Sequence, residues 1–467
     1  MNRSLFWSIS FRILFTGCLL TAFHSRADDV DDYVNRQMRR LHIPGLSLAV
    51  VKDGKVIKAK GYGLANVELN VPATKDTVYE IGSVTKVFTS TAVMILVNDG
   101  KINLDDKITN YVSQLPQHWS GITVRHLLSH TSGITNDYAA ETKYIGRRAP
   151  LSARAMLSSV TNSPLNFEPG EKFFYSNTGY YLLGLLIEKA SGKSYADFMK
   201  ERIFVPLKMD STCVNDSRAI MTNRANGYFY GRDLRNNEYM DMSWPYSAGA
   251  LISSVMDMVK WDAALYTDKL LPQNYREQMW KPARLNDGST VDFLGLGWGI
   301  ETKPPYGRGL MHFGQIPGFI AGFTRWTDQR LFVVVLANME GVPSGDIVDG
   351  ISRRYLPRRN NPIADKAPDV TMKDRSLLQA VMSGTLDQQL LAESFHKDFF
   401  PTQANELRNS TKELGVINSS ALLEEGADKL EHTTYRRYRA TFRKEVLRFY
   451  IESNQNGKIS DLRIAFD

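Results

Sequence analysis

Residues 79–86 read Tyr79-Glu80-Ile81-Gly82-Ser83-Val84-Thr85-Lys86, and the apolar runs Val87-Phe88 and Val93-Met94-Ile95-Leu96-Val97 follow at once. The stretch predicts the first turn of a buried helix. Positions i and i+3 share a helix face, so the Ser83 hydroxyl can meet the Lys86 amine. The positive end of the helix dipole favours an alkoxide at Ser83. An amine in a dry site has a lowered pKa and can act as base to the hydroxyl. This is the logic of the Ser-x-x-Lys nucleophile. The spacing alone is weak evidence, since Ser394-Phe395-His396-Lys397 repeats it. That second copy is assigned no catalytic meaning.

Two further segments supply what a serine acyl transfer needs, groups that move protons and N–H donors for an oxyanion. Tyr175-Ser176-Asn177 offers a phenol and an amide on a turn before a helix. In that helix Tyr180, Leu183, Gly184, Ile187 and Ala190 recur at helical spacing, and Gly192 ends it. A buried lysine nearby lowers a tyrosine pKa enough for proton transfer. The Asn177 amide can bond both the lysine and a substrate carbonyl. Tyr33-Val34-Asn35 matches the tripeptide as well, so its weight comes from its order in the chain. The third segment is His312-Phe313-Gly314-Gln315. There Gly314 lets an edge strand come close to a substrate, and the Gln315 N–H can face an oxyanion.

The surrounding pattern predicts an α+β or layered α/β fold. Ile43 to Val51 and Val56 to Ala59, joined at Asp53-Gly54, read as a β-hairpin. Asp99-Gly100 ends the nucleophile helix. Residues 134–165 lack periodicity and read as a surface excursion over the site. Aromatics crowd Gly227 to Trp244, as in a cleft wall. A helix is expected from Met256 to Leu265, and strands at Gly295–Ile300, Leu310–Phe313, Phe319–Trp326 and Leu331–Ala337. Strands at both ends with helices between predict one sheet made from both chain ends and a helical insert.

Residues 1–27 read as a secretory signal peptide. Arg3 and Arg12 precede Ile13-Leu14-Phe15, and Ser25-Arg26-Ala27 offers a cleavage site. The expected location is periplasmic or secreted, with lipid attachment through Cys18 as second choice. After cleavage Cys213 is alone, so no internal disulfide is expected. The net charge of +7 is dispersed along the chain, which points away from nucleic acid. Neither His-Glu-x-x-His nor Cys-x-x-Cys spacing occurs, nor a Walker loop, and no cofactor or metal is expected. Absence of Gly-x-Ser-x-Gly weighs against an α/β-hydrolase.

With these motifs in place, residues from about 32 to 355 resemble the serine β-lactamase/penicillin-binding-protein family, in its class C and carboxypeptidase/esterase-like branch. Leu127-Leu128-Ser129-His130-Thr131-Ser132-Gly133, Phe167-Glu168-Pro169-Gly170, Pro206-Leu207-Lys208-Met209 and Ser247-Ala248-Gly249 with Trp261 match it too. The resemblance implies a mainly antiparallel sheet flanked by helices, with the site between it and a helical subdomain. It implies that Ser83 is acylated, Lys86 is its proton partner, Tyr175 is a general base and Asn177 orients the substrate. The N–H groups of Ser83 and Gln315 would form the oxyanion hole. His312 stands where the family's β-lactamases usually place a lysine, and a neutral imidazole holds a carboxylate poorly. The expected activity is therefore that of an esterase or D-amino-acid peptidase at least as much as a β-lactamase. The alternative is a binding or sensing protein that acylates without turnover. His118, His126 and His130 read as structural.

Residues 356–375, with Pro357, Pro362 and Pro368, read as a linker. Residues 376–467 form a second α+β unit: helices at Leu386–Phe400 and Gln403–Leu414, then a three-stranded meander. Its helix-then-sheet pattern is similar to NTF2- or cystatin-like accessory domains, and the sequence does not choose among a separate partner, a wall component and its own catalytic domain as what it binds. Arg436, Arg437, Arg439, Arg443, Lys444 and Arg448 read as a solvated strand face.

Overall fold

The computed structural model describes residues 26–136, 147–303, 306–357, 361–411, 414–428, 432–443 and 445–466. The expected signal peptide lies outside them as far as residue 25, and helix α1 (Arg26–Arg40) opens the described chain. Strands β1 (Gly45–Lys52) and β2 (Lys55–Asn66) form the expected hairpin. At its tip Asp53 and Gly54 have φ of 51° and 76°, the conformation a two-residue turn needs to follow strand twist.

Short β3 (Val71–Pro72) continues the sheet, and the chain then leaves it for the helical half. That half contains α2 (Thr85–Asn98) and α3 (Asn177–Ser191). The chain returns as β4 (Gly299–Lys303), β5 (Gly307–Ile316), β6 (Phe319–Trp326) and β7 (Leu331–Ala337), followed by α4 (Ser344–Tyr355). The strand order β4-β5-β6-β7-β1-β2-β3 joins both chain ends in one seven-stranded sheet, and its pairs are antiparallel.

Side chains that alternate along β1 are buried on opposite faces. Leu46, Leu48 and Val50 pack with Val30 and Tyr33 of α1 and Ile347 and Ile351 of α4. Ala49 and Val51 face the larger cluster that includes Phe88 and Met94 of α2. Helix α2 is buried from Thr85 to Leu96, so its hydroxyls need internal partners. Thr89 Oγ1 donates to the Ser247 carbonyl at 2.7 Å, and Ser90 Oγ lies 2.9 Å from the Tyr180 hydroxyl.

Four expectations are corrected. Part of the excursion at 134–165 packs inward: Ala153–Val160 is a helix with Met156 and Val160 buried, while 137–146 lie outside the described residues. The strand expected from Gly295 starts at Gly299, because Gly297 turns the chain with φ 78°. The linker ends sooner than read, since Pro368 begins α5 (Pro368–Ser383), a position proline favours. The second unit continues with α6 (Glu393–Phe399) and α7 (Thr402–Thr411).

The fourth correction concerns the last sheet, which has four strands: β8 (Ser419–Asp428), β9 (Thr433–Thr441), β10 (Val446–Ser453) and β11 (Ile459–Phe466). A register shift between Leu422 and Glu424 breaks the alternation that would have revealed β8. That missed strand explains the arginines. Arg436 and Arg437 are 8% and 3% exposed. Arg436 pairs with Asp365 at 2.7 Å and Glu425 at 3.0 Å, and Arg437 with Glu424 at 3.2 Å. Arg443, in contrast, is exposed. Removing one partner of a buried ion network costs about 3–5 kcal/mol. Arg436→Ala should therefore lower the unfolding midpoint of the protein in urea, and Arg443→Ala should leave it unchanged.

Candidate active site

A short 3-10 turn, Gly82–Val84, runs directly into α2 and presents Ser83, partly exposed, at its start. Strand β5 meets this turn backbone to backbone. A Cβ on Gly314 would lie 2.1 Å from the Ile81 oxygen and 2.9 Å from the Ser83 nitrogen. A Cβ on Gly82, whose φ is +49°, would lie 2.9 Å from the Gln315 carbonyl. Both glycines are required by this approach. It is possible because β4 pairs only with Gly307–Met311, whereas β6 pairs along β5 as far as Ile316. One edge of β5 from His312 onward is left for the nucleophile turn. Gly314 thus brings the strand against the nucleophile's own backbone, closer than the expected approach to substrate.

Lys86 is fully buried, and its Nζ lies 3.1 Å from Ser83 Oγ, 2.8 Å from Asn177 Oδ1 and 2.9 Å from the Ala248 oxygen. Burial holds the amine pKa well below the usual lysine range. A neutral amine has two N–H donors and one lone pair. Asn177 Oδ1 and the Ala248 carbonyl can only accept, so both hydrogens go to them and the lone pair faces the Ser83 hydroxyl.

The tripeptide is braced by residues the motif reading passed over. Ser176 caps α3 by accepting from the Gly179 N–H at 3.1 Å. Asn136 accepts from the Asn177 N–H at 2.6 Å and donates to the Tyr175 carbonyl at 2.7 Å. His130 Nδ1 accepts from the Ser176 N–H at 3.0 Å, and its ring stacks on Tyr175 with centroids 4.4 Å apart. Its structural reading therefore stands. Sequence signalled His130 through its place in the Leu127–Gly133 match, whereas Asn136 carried no signal.

Tyr175 places its ring 4.7 Å from Lys86 Nζ. The expected lowering of its pKa is overturned. Burial raises the phenol above its ordinary value, and the nearby Ser83 hydroxyl offsets this only in part. The same burial lowers the Lys86 pKa and so weakens the cation that would stabilise a phenolate. The resting phenol is neutral, suited to relaying a proton while Lys86 takes it first. His312 is half-buried, and its Nδ1 donates to the Phe313 carbonyl at 2.9 Å. Burial pushes the imidazole down to about 3, so His312 supplies no positive charge at neutral pH.

Ser83, Asn177 and Gln315 line one cleft of about 180 Å³ with Gly82, Trp244 and Ala248. The aromatic-wall reading of 227–244 holds for Trp244. Tyr228 is instead buried behind, hydrogen-bonded to Glu68 at 2.5 Å, and Tyr230 stacks on His42 at 3.7 Å. The second Ser-x-x-Lys is inert by geometry: Ser394 is exposed, and Lys397 pairs with Glu393 at 3.0 Å.

Residues 30–355 match the family described as Beta-lactamase. Penicillin-binding protein 4* of Bacillus subtilis (strain 168) is 31% identical over 312 residues, 63% of this chain and 68% of that protein. Protein flp of Staphylococcus aureus (strain MW2) is 28% identical over 70% of this chain and 66% of its own length. This chain thus spans about two thirds of these relatives. The octameric penicillin-binding protein homologue from Pyrococcus abyssi superposes with TM-score 0.60 and 25% identity, covering 94% of this chain and 98% of its own. That likeness extends past residue 355. D-amino acid amidase from Ochrobactrum anthropi SV3, solved with L-phenylalanine amide, gives TM-score 0.61 and 27% identity over 71% of this chain and 96% of its own.

The backbone contact makes a specific demand. Gly314→Ala should lower ester hydrolysis by about a hundredfold or more, because a sub-ångström shift of the nucleophile turn disturbs the attack geometry. Gly288, whose Cβ would meet nothing within 4 Å, is the control for glycine loss itself. Gly288→Ala, although strained by a φ of +87°, should retain activity in the same assay.

Proposed function

The chain belongs to the β-lactamase family, and from that premise we propose that it hydrolyses an ester or a D-amino-acid amide through an acyl-enzyme on Ser83. The observation that carries the reading is the buried Lys86 Nζ, 3.1 Å from Ser83 Oγ and held there by two carbonyl acceptors. Ser83 Oγ attacks the acyl carbon while its proton passes to Lys86. The carbonyl oxygen gains charge next to the N–H groups of Ser83 and Gln315. Collapse breaks the ester or amide bond, and the leaving alcohol or amine takes the proton through Lys86 and Tyr175. Water then attacks the acyl carbon and gives up a proton by the same route; the bond to Ser83 Oγ breaks, Oγ takes that proton, and the acid product leaves.

Asn177 gives its Oδ1 to Lys86, so its Nδ2 is the side of the amide directed to a substrate carbonyl. The likeness to a D-amino acid amidase supports the amide substrate. Neutral His312 in place of a lysine argues for esters and amides over strong β-lactam hydrolysis. Export follows as a proposal from the amino-terminal pattern of Arg3, Arg12 and the apolar run after it, and with it access to wall-derived peptides.

Labelling by a fluorophosphonate, read beside turnover of a p-nitrophenyl ester, tests the reading. The wild type should be labelled on Ser83 and release p-nitrophenol well beyond one equivalent, and Ser83→Ala should do neither. Lys86→Ala should slow labelling by about a thousandfold or more. Ser394→Ala should behave as wild type. A single-equivalent burst of p-nitrophenol without turnover would identify a slowly deacylating binding protein, and no label on Ser83 would overturn the acyl-enzyme.

A further inference from the structure

We propose that the cavity between the two units of the chain binds an uncharged saccharide of two or three rings, at a site separate from the Ser83 cleft. The cavity holds about 540 Å³, within the range of about 300–1,000 Å³ common to ligand sites. Helices α1 and α4 wall it on one side through Tyr33, Arg353 and Arg354, and the sheet of the second unit walls it on the other. Tyr306, Arg353 and Tyr435 also border an adjoining cavity of about 460 Å³, so a second ring has room beside the first.

Strand register decides what that sheet presents. Residues directly opposite across a ladder share a face. One row toward the cavity runs Glu424, Arg437, Tyr450, Arg463, and the next runs Gly426, Tyr435, Glu452, Asp461. The opposite face carries Leu422, Tyr438, Phe449, Ile451 and Leu462 into the unit's own core. A polar face turned toward the neighbouring unit does not close by apolar packing, and the cavity lies there. Within it the Tyr435 and Tyr450 rings stack with centroids 5.7 Å apart.

The charges limit the occupant. Five guanidinium groups and five carboxylates line the cavity, so the lining as a whole is neutral. Pairing already engages them, among these Arg437 with Glu424 at 3.2 Å, Arg463 with Asp461 at 2.6 Å and Arg354 with Asp29 at 3.5 Å. The Tyr450 hydroxyl donates to Glu452 at 2.5 Å. A charged ligand would have to break such a pair, and an apolar one would strip water from all of them. A sugar hydroxyl both donates and accepts, so it can bond a paired carboxylate and guanidinium together without separating them. The C–H face of the ring lies against the tyrosine pair. The Thr433 hydroxyl lines the same space, 6% exposed and without a hydrogen-bond partner among the described residues. A sugar hydroxyl supplies that partner.

Isothermal titration of the purified full-length protein with chitotriose, maltotriose, trigalacturonate and acetyl-trialanine amide tests the assignment. At least one of the two neutral trisaccharides should bind with a Kd tighter than about 1 mM, and the charged trimer and the peptide should bind more weakly. Tyr450→Ala should weaken the bound sugar by about tenfold, the scale of one ring stack. Thr433→Val removes an unpartnered hydroxyl at constant shape. It should weaken the sugar by about threefold or more while the urea unfolding midpoint stays level or rises, which a merely structural threonine would not do. Should Tyr450→Ala fail to fold, Thr433→Val decides alone. Fluorophosphonate labelling of Ser83 should keep its wild-type rate in both variants, so this site and the hydrolase reading stand or fall separately. A Kd weaker than about 1 mM for both neutral sugars would overturn the assignment. So would equal or tighter binding of the charged trimer or the peptide, or wild-type affinity in either folded variant.

Discussion

Burial of an amine away from water and from any carboxylate drives it toward its neutral form, and this constraint organises the site. Lys86 is fully buried at the centre of the helical half, and burial alone accounts for its lowered pKa. A charged ammonium there would lose its hydration without compensation. A neutral one needs two acceptors for its hydrogens, and the Ala248 carbonyl and Asn177 Oδ1 provide them. The remaining direction is the lone pair, and Ser83 stands in it. Basicity is thus placed by where two carbonyls sit, without any carboxylate to orient the base.

Those acceptors belong to different parts of the chain, so the fold must hold them together. Asn177 is fixed by Asn136, and the turn before it by His130. Ala248 precedes the short strand Leu251–Ser253, which pairs with Tyr79–Glu80 just ahead of the nucleophile turn. From the other side β5 presses on that turn through two glycines with no room for side chains. The site is a seam between sheet and helical half, and small backbone displacements in either reach the Ser83 oxygen.

The meeting of Ser83, Lys86 and Asn177 was legible because the proposed chemistry fixes residue type and local spacing together. Ser83 and Lys86 share a helix face, and Tyr175 and Asn177 sit at a capped helix start, as patterns alone implied. The sheet from both chain ends followed from strand-like runs around a helical middle. What escaped depended on tertiary context. Asn136 bonds two backbone groups about forty residues away, at separations of 41 and 39, and nothing local marks it. Strand β8 was hidden by its bulge, and without β8 the carboxylates that bury Arg436 and Arg437 could not be foreseen. The Tyr175 pKa was misread because a buried lysine was treated as a cation, when burial itself removes the charge.

The pH dependence of Ser83 acylation by a fluorophosphonate tests the central claim most directly, since a phosphylating reagent reads the nucleophile without needing a substrate pocket. A base already neutral gives a labelling rate that is flat from about pH 7 to 9, with its acid limb well below the ordinary lysine range. A rate that instead climbs tenfold per pH unit through that interval, levelling only near 10.5, the value of an unperturbed lysine, would show a protonated Lys86 and contradict the account.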